Sequence, residues 1–321
     1  MMVRFLFFTL ICISSPTPGQ DAAWPGKPIR VVYPYSAGGV GDTTFRIVAP
    51  AVEARLGQRF VLEAKPGAAG NLGAAEVARA APDGYTLLLA PTSIFAINPY
   101  LFRNPGYDGV AAFEPVTLLA DGPLVVLVNP QLPVKTLREL ADYARDRPGK
   151  MYFASPGSGS PAHLAGELFS QLAGGGITHV AYKGTPPMAQ AMLANDVQLC
   201  FPTLPGMIAL VKAGRLRILA VAARERLAEL PDVPTSVEAG FPELVFGNWW
   251  GLAAPKGTDA RIVARLAEEM RAALADPEAR RRLVELGSIA VGTTPGEFAA
   301  FIRTEAARYR QVVERGGIKI E

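Results

Sequence analysis

Short apolar runs alternate with helical patterns along almost the whole chain. Alternation of this kind is typical of parallel sheets that are covered by helices, and it predicts the α/β class. The apolar runs predict strands at 29–33, 60–63, 86–90, 116–119, 124–128, 151–154, 178–181, 197–201 and 216–221, with a strand-like stretch at 244–254. The helical patterns predict helices at 43–56, 71–80, 136–145, 163–173, 185–193, 205–213, 259–274, 277–285 and 295–315.

The number of predicted strands favours two lobes. A sheet usually has about five or six strands, so one sheet does not readily accommodate them all. We expect the chain to cross between the lobes near Gly122-Pro123 and again near Gly247, with each crossover acting as a hinge. Lobe 1 would then comprise residues 24–122 and 249–321, and lobe 2 residues 123–248. A cleft between two lobes is a usual place for a small ligand.

A loop of small residues joins the first predicted strand to the first helix. A strand, a small-residue loop and a helix N-terminus together aim backbone N–H groups at an anion, and glycines let the backbone approach a ligand closely. The spacing is not a dinucleotide fingerprint, because Thr44 stands where the third glycine belongs. The alternative is a turn that only shapes the connection, and we expect Asp42 to cap the helix. The candidate ligand-binding residues in this loop are Tyr35, Ser36, Ala37, Gly38 and Gly39.

A second loop of the same kind, ASPGSGSPAH at 154–163, lies between a strand and a helix in lobe 2. Its serines Ser155, Ser158 and Ser160 offer hydroxyls, and Gly157 and Gly159 free the backbone amides. Two such loops would meet across the cleft and hold one carboxylate with neutral donors. The alternative is a flexible turn followed by a helix cap.

The sequence also allows an exported serine hydrolase, with Ser158 as nucleophile and His163 as base. The surrounding residues do not match the G-x-S-x-G nucleophile elbow, and a lone histidine in a first helical turn is more often a packing or capping residue. The other histidine, His179, falls on a predicted strand, and no cluster of cysteine, histidine and carboxylate has metal-ligand spacing. We therefore expect no catalytic residue, no metal and no cofactor.

The first 23 residues are typical of a targeting segment. Arg4 precedes an apolar core at 5–13 that is too short to span a bilayer, and the segment ends in Ala22-Ala23. This predicts a secretory signal that is cleaved near Ala23, and a periplasmic protein. Cleavage would leave Cys200 as the only cysteine, so we expect a buried thiol and no internal disulfide. The net charge of +3 and the lack of a basic run do not suggest nucleic acid as a partner.

Several sequence segments, spread from about Trp24 to the C-terminus, resemble one known family. They are YPYSAGGVGDTTFR at 33–46, KPGAAGNLGA at 65–74, APDGYTLL at 81–88, AINP at 96–99, HLAGELF at 163–169, HVAYKGT at 179–185, AGRLRILAV at 213–221, LPDVPTSVEAGFP at 230–242, WWGLAAPKGT at 249–258 and ALADPEARRRL at 273–283. Together they resemble the Bug receptors, which are periplasmic solute-binding proteins of tripartite tricarboxylate transporters.

The resemblance implies a two-lobed periplasmic binding protein of the Venus-flytrap, type II-like fold, with a central interlobe cleft. Such a receptor has no catalytic activity; it closes on a carboxylate-bearing solute and delivers it, as a monomer, to the membrane components of the transporter. In the family, the two loops hold the proximal carboxylate, and these positions fall here on 35–41 and 155–160. The loop after strand 86–90, which includes Thr92 and Ser93, lines the family's pocket. An orphan receptor that serves a signalling sensor is a further alternative.

Two departures from the family pattern predict a less polar pocket. Where the family often carries Phe-Asp-Asn, this chain has Phe201-Pro202-Thr203, which removes an acidic side chain and leaves Thr203 as a candidate ligand contact. Before AINP, a Gly-Thr-His-like stretch is replaced by Ser93-Ile94-Phe95. Both changes favour an aromatic or aliphatic carboxylic acid over an amino acid.

Overall fold

The structure, a computed structural model, describes residues 24–182, 184–204 and 207–316. The predicted signal segment therefore lies outside the described residues. No helix in the described ranges combines the length and the apolarity that a bilayer crossing requires.

The first sheet has six strands, drawn from both ends of the chain. They are β1 Ile29–Tyr33, β2 Phe60–Ala64, β3 Thr86–Pro91, β4 Phe113–Asp121, β10 Trp250–Pro255 and β11 Ile289–Ala290, in the order β11-β4-β10-β3-β1-β2. Strand β1 pairs in parallel with β2 and β3, whereas β10 pairs antiparallel with β3 and β4.

The second sheet has five strands, all from the middle of the chain. They are β5 Val125–Val128, β6 Met151–Ser155, β7 Ile177–Ala181, β8 Leu199–Cys200 and β9 Arg217–Val221, in the order β7-β6-β8-β5-β9. Strand β5 pairs antiparallel with β8 and β9, and the other pairs are parallel. Both sheets are therefore mixed, not parallel as predicted. In each sheet the strand that follows a crossover, β5 or β10, is antiparallel to both of its neighbours, and β11 is also antiparallel to β4. Apart from β11, the two sheets repeat one strand order.

Helices cover both sheets, which confirms the α/β class and the two-lobed organisation. Side-chain caps begin several of them: the Thr136 hydroxyl accepts from the Glu139 N–H, and the Asp276 carboxylate accepts from the Ala279 N–H. The helices are α1 Val40–Leu56, α2 Asn71–Ala78, α3 Asn98–Leu101, α4 Leu137–Arg145, α5 Pro161–Leu172, α6 Thr185–Ala194, α7 Ile208–Lys212, α8 Ala260–Leu274, α9 Pro277–Glu285 and α10 Pro295–Gly316.

The two crossovers lie side by side, at the places that the sequence predicted. The Asn248 N–H donates to the Gly122 carbonyl at 2.9 Å, and the Leu124 N–H donates to the Phe246 carbonyl at 2.9 Å. Pro123 and Gly247 form an isolated antiparallel bridge between these contacts. The chain thus passes between the sheets through one short antiparallel pair, while the lobe boundaries themselves stay a prediction.

Helix α10 contacts both halves of the molecule. It packs against β4 of the first sheet and also against α5, a helix that covers the second sheet. Leu168 and Phe169 of α5 share one hydrophobic cluster with Tyr309, Val312 and Val313 of α10. The C-terminal helix therefore ties the two sheets together on the side of the crossovers.

Three local predictions need correction. The strand predicted at 244–254 begins only at Trp250, because the preceding residues form the crossover. A π-helical turn at Ser93–Ile97, followed by α3, was not predicted. Alternation along a strand predicts one of Trp249 and Trp250 in the cleft wall and the other in the core, but both side chains are buried, in separate clusters. Cys200 is buried as expected, and burial raises the pKa of its thiol.

Candidate functional site

The loop after β1 is held in shape by Asp42. Gly39 occupies the N-cap position of α1 and makes no side-chain cap, so the prediction that Asp42 is the cap was wrong. Asp42 lies in the first turn instead, where Oδ2 accepts the Gly38 N–H at 2.6 Å and Oδ1 pairs with Arg46 Nε at 2.5 Å. The Gly38 amide is therefore already occupied. Gly38 has a φ of 82°, a left-handed conformation that favours glycine.

Aromatic side chains pack beneath the same loop, on its side towards the first sheet. The Tyr35 and Ser93 hydroxyls are hydrogen-bonded at 2.6 Å, which connects the loop to the π-helical turn. The rings of Tyr33 and Tyr35 each pack against Trp250. Burial raises the pKa of both phenols, so they stay neutral. Ser36 and Ala37 are exposed at the tip of the loop.

Thr92 is buried and hydrogen-bonds to Trp249, which follows the second crossover. Its hydroxyl accepts from the Trp249 N–H at 2.8 Å, and its own backbone N–H donates to the Trp249 carbonyl at 3.0 Å. These contacts fix the start of β10 beside the end of β3. A ligand contact for Thr92 or Ser93 stays a prediction.

The loop after β6 satisfies much of its own hydrogen bonding. Ser155 Oγ accepts the Gly157 N–H at 3.2 Å, and Ser160 Oγ donates to the Gly157 carbonyl at 2.7 Å. Ser160 is also the N-cap of α5, accepting from the His163 N–H. The Gly159 N–H donates to His163 Nδ1 at 3.1 Å. Only Ser158 is exposed in this loop, so a ligand would meet the rim of a structured turn.

The fold brings together two histidines that the sequence keeps apart. The rings of His163 and His179 stack at 3.9 Å between centroids, and their donor atoms lie within 4.8 Å of a Glu167 oxygen. The sequence reasoning missed this cluster, since it depends on β7 pairing beside β6. Burial, and next the charge of His163, lower the pKa of His179 to about 4.

The geometry of this cluster does not suit a metal ion. Because His163 Nδ1 accepts the Gly159 N–H, the proton of the neutral ring lies on Nε2, which faces Glu167 Oε1 at 3.6 Å. Ligation through Nε2 would require that proton to leave. The two rings are also nearly parallel, with 25° between their planes, so their lone pairs do not converge on one point. We propose no metal site here.

The hydrolase alternative fails on the same contacts. His163, the expected base, uses Nδ1 to accept the Gly159 N–H and directs Nε2 at Glu167, so neither nitrogen is free to deprotonate Ser158. The serine and histidine that do pair are Ser155 and His179, at 2.7 Å. Ser155 is fully buried, so it cannot reach a substrate carbonyl.

A cavity of about 130 Å³ lies between the two sheets, at the carboxyl ends of their parallel strands. This is the edge at which open α/β sheets bind ligands. Val40 reaches it from α1, and Leu124 and Asn248 reach it from the two crossovers. No side chain in the lining is charged. The lining residues are Val40, Leu124, Pro156, Ser160, Pro161, Ala162, Thr185, Met188, Phe201, Pro202, Thr203 and Asn248.

Three helices begin at this cavity. They are α1 with Val40, α5 with Pro161 and α6 with Thr185. A helix N-terminus carries a partial positive charge and unpaired N–H groups, so three of them create a favourable place for an anion. Neither α1 nor α6 has a side-chain cap, although in α1 the Gly41 and Asp42 amides donate to the Tyr33 hydroxyl.

Of the predicted site residues, Thr203 lines the cavity, and the loops at 35–39 and 155–159 flank helices that begin there. Their role in binding stays a prediction. Sequence reasoning missed Thr185 and Asn248 as lining residues. The readable signal for Thr185 was Gly184, a glycine in the short segment between a predicted strand and a predicted helix. In the structure this glycine is the N-cap of α6, with a φ of 95°. For Asn248, the sequence placed a crossover at the neighbouring Gly247 but gave no signal that this side chain lines the cavity.

Comparison with known proteins agrees with this geometry. The family model described as "Tripartite tricarboxylate transporter family receptor" matches residues 44–318. The protein BugT of Bordetella pertussis is 33% identical over 317 residues, which cover 98% of this chain and 97% of BugT.

Two solved structures from Rhodopseudomonas palustris are similar over nearly their whole length. A protein solved with adipate is 34% identical, with a TM-score of 0.83, and the match covers 92% of this chain and 99% of that one. MatC with bound malate is 33% identical, with a TM-score of 0.80, and the match covers 90% of this chain and 100% of that one. The periplasmic-binding-protein fold is therefore confirmed, and the chain belongs to the receptor family of the tripartite tricarboxylate transporters, as a solute-binding receptor and not an enzyme.

Proposed function

We propose that this receptor captures a small carboxylic acid in the cavity between its sheets and delivers it to the membrane components of a tripartite tricarboxylate transporter. The observation that carries the proposal is the convergence of three helix N-termini, from both sides of the cleft, on one uncharged cavity. A carboxylate placed there would receive charge-assisted hydrogen bonds from backbone amides and hydroxyls, without needing an arginine or a lysine.

The loops named from the sequence belong to this proposal. Tyr35–Gly39 would approach the carboxylate from the first sheet, and Ser155–Gly159 from the second, with Thr92 and Ser93 behind them. Since the Gly38, Gly157 and Gly159 amides already have partners inside their loops, binding would either shift those partners or use neighbouring groups. Thr203 and Thr185 offer hydroxyls in the cavity lining.

The cavity favours an acid whose remote part is apolar. Most of its lining is hydrocarbon, and an ammonium group at the far end would have no anionic side chain beside it. An unpaired buried charge costs several kcal/mol in a closed cleft, by order of magnitude. Related proteins were solved with adipate and with malate, which carry carboxylates and no ammonium group. The volume is below the roughly 300–1,000 Å³ of pockets for drug-sized ligands, which favours a small acid.

Calorimetry with a series of acids tests both parts of the proposal. We expect benzoate, adipate or malate to bind more tightly than glutamate or aspartate, and a bound acid at about 100 times its Kd to stabilise the fold by about 2.7 kcal/mol. Thr203→Val should weaken binding about tenfold. Thr178→Val, an exposed threonine on β7, is the matched control. If glutamate binds most tightly, the ligand class is wrong; if no carboxylate binds, the receptor proposal itself fails.

We also propose that the receptor works as a monomer in the periplasm, after cleavage of a signal peptide near Ala23. The receptor family and the charge and apolarity pattern of residues 1–23 support this proposal. N-terminal sequencing of the exported protein and its mass in solution would test cleavage and oligomeric state.

A further inference from the structure

Two residues that line the cavity belong to the crossovers, Leu124 and Asn248, and of these Asn248 has the polar side chain. Within the described part of the chain, its carboxamide has no hydrogen-bond partner, although its backbone is fully engaged. The neighbouring lining residue on the first crossover, Leu124, offers only hydrocarbon.

The backbone around Asn248 is held from several directions. Its N–H and carbonyl both pair with Gly122 of the other crossover, at 2.9 Å and 3.3 Å. The preceding Gly247 carbonyl accepts from the Tyr309 hydroxyl at 3.1 Å. The following Trp249 is fixed by Thr92, and its indole N–H donates to Glu305 Oε2 at 3.3 Å. The carboxamide is thus a free group on a firmly placed backbone.

Thr203 stands beside it at the hinge end of the cavity. Thr203 forms an isolated bridge with Leu124, and a Cβ on Gly122 would lie 3.5 Å from the Thr203 methyl and 3.6 Å from the Asn248 carbonyl. A threonine from the second sheet and an asparagine from the crossover therefore flank the same glycine. A hydroxyl and a carboxamide can both donate a hydrogen bond to one anionic oxygen.

We infer that Asn248 is a specificity-determining residue, which donates through its carboxamide N–H to a carboxylate oxygen of the bound acid and so links occupancy to the hinge. The inference rests on the proposed carboxylate-binding function. When the ligand engages Asn248, it holds the crossover that pairs with Gly122, and this favours the closed arrangement of the two sheets. Closure of the two sheets then depends on the contact between the ligand and Asn248 at the hinge, as well as on the contacts with the rest of the cavity lining.

Substitutions at this one position separate the inference from a structural role. Asn248→Leu keeps the approximate size of the side chain and removes its donors, and we expect benzoate or adipate to bind about ten- to a hundredfold more weakly. Asn248→Asp places a negative charge beside the anion, and we expect a larger loss that decreases below the carboxyl pKa. Asn248→Gln should recover part of the affinity.

The controls decide what each outcome means. The exposed Gln171→Leu on α5 is the matched polar-to-apolar control and should bind as wild type does. The melting temperature of ligand-free Asn248→Leu should stay close to that of wild type, since the carboxamide supports no other residue. Small-angle scattering should show less closure for Asn248→Leu, even at saturating acid. If Asn248→Leu binds and closes as wild type does, the inference is overturned, whereas failure of wild type to bind any acid would overturn the proposed function instead.

Discussion

Asp121 ends β4 at the first crossover, and its Oδ1 is enclosed without a hydrogen-bond partner among the described residues. Burial, and next the nearby Glu305, raise the pKa of this carboxyl to about 6, while the Gly122 amide and Arg308 act in the opposite direction. Glu305 is itself paired with Arg308 and with the Trp249 indole. Asp121 therefore lies beside the hinge as a carboxyl group that holds its proton to a higher pH in the folded protein than in the unfolded chain.

Replacing Asp121 should change how stability depends on pH. The folded protein holds the proton up to about pH 6, and the unfolded chain releases it near pH 3.8. Unfolding therefore releases a proton between these values, and stability decreases as pH rises from about 4 to 6. Asp121→Asn removes this slope, so the variant should gain about 2 kcal/mol relative to wild type between pH 4 and pH 7. Urea denaturation across this range measures the difference, and parallel curves for the two proteins would contradict it.

Protonation of His179 should change the pH dependence of stability in the opposite direction. Its pKa of about 4 lies below the ordinary 6.5, so the unfolded chain binds the proton first as pH falls. Stability from this group is present above pH 6.5 and is lost as pH falls towards 4. Since His179 is only partly buried, we expect His179→Gln to lose roughly 1–2 kcal/mol less than wild type on acidification from pH 7 to pH 4. A variant that loses as much as wild type over that range would show that His179 is not responsible.

At the scale of elements, the N-terminus of α1 has little tolerance for a larger side chain. A Cβ on Gly39 would lie 2.4 Å from the Tyr33 hydroxyl, and Tyr33 is fixed by its packing against Trp250. We expect Gly39→Val to displace the loop and to abolish acid binding, while the β1–α1 unit stays folded. Titration calorimetry together with circular dichroism would show this combination.

Gly38→Ala provides the control for that prediction. No atom lies within 4 Å of a Cβ at Gly38, so only its φ of 82° opposes the change. The expected cost is about 1 kcal/mol of stability, with binding largely retained. Unchanged affinity of Gly39→Val would mean that the first loop does not hold the ligand.

Much of the element order could be predicted from the sequence, because apolar periodicity and caps are local signals. Helix α9 begins and ends where the pattern placed it, with Asp276 capping it. The π-helical turn at Ser93–Ile97 could not be predicted, since its residues read as one apolar run and its shape depends on packing beneath α10. Strand β8 is shorter than predicted because its pairing with β5 and β6 stops at Cys200, before Pro202.

The candidate site also contains residues that could be predicted from the sequence and residues that could not. The two glycine-rich loops were recognisable from local composition. Asn248 and the His163–His179 stack were not, because each depends on which strands become neighbours, and Thr185 had only the local signal of Gly184. Long-range pairing of this kind leaves no local trace in one sequence.

At the scale of the whole molecule, ligand binding should close the two sheets about the paired crossovers. The backbone bonds between Gly122 and Asn248 and the bridge at Pro123–Gly247 form the narrow connection about which they would rotate. We expect the radius of gyration to decrease when adipate or benzoate is added, measured by small-angle scattering. The Gly39→Val variant, which should not bind, is the matched control; equal values with and without a bound acid would argue for a rigid pocket.

Helix α10 also limits how the protein can be divided or recombined. Because its last turns pack against α5, a fragment that contains only residues 123–248 would lack the helix that covers the side of α5 around Leu168. The two halves are therefore not interchangeable modules, even though, apart from β11, their sheets repeat one strand order. A chimaera that takes residues 123–248 from a relative would have to take the end of α10 with them. We also expect these two segments to change together during evolution.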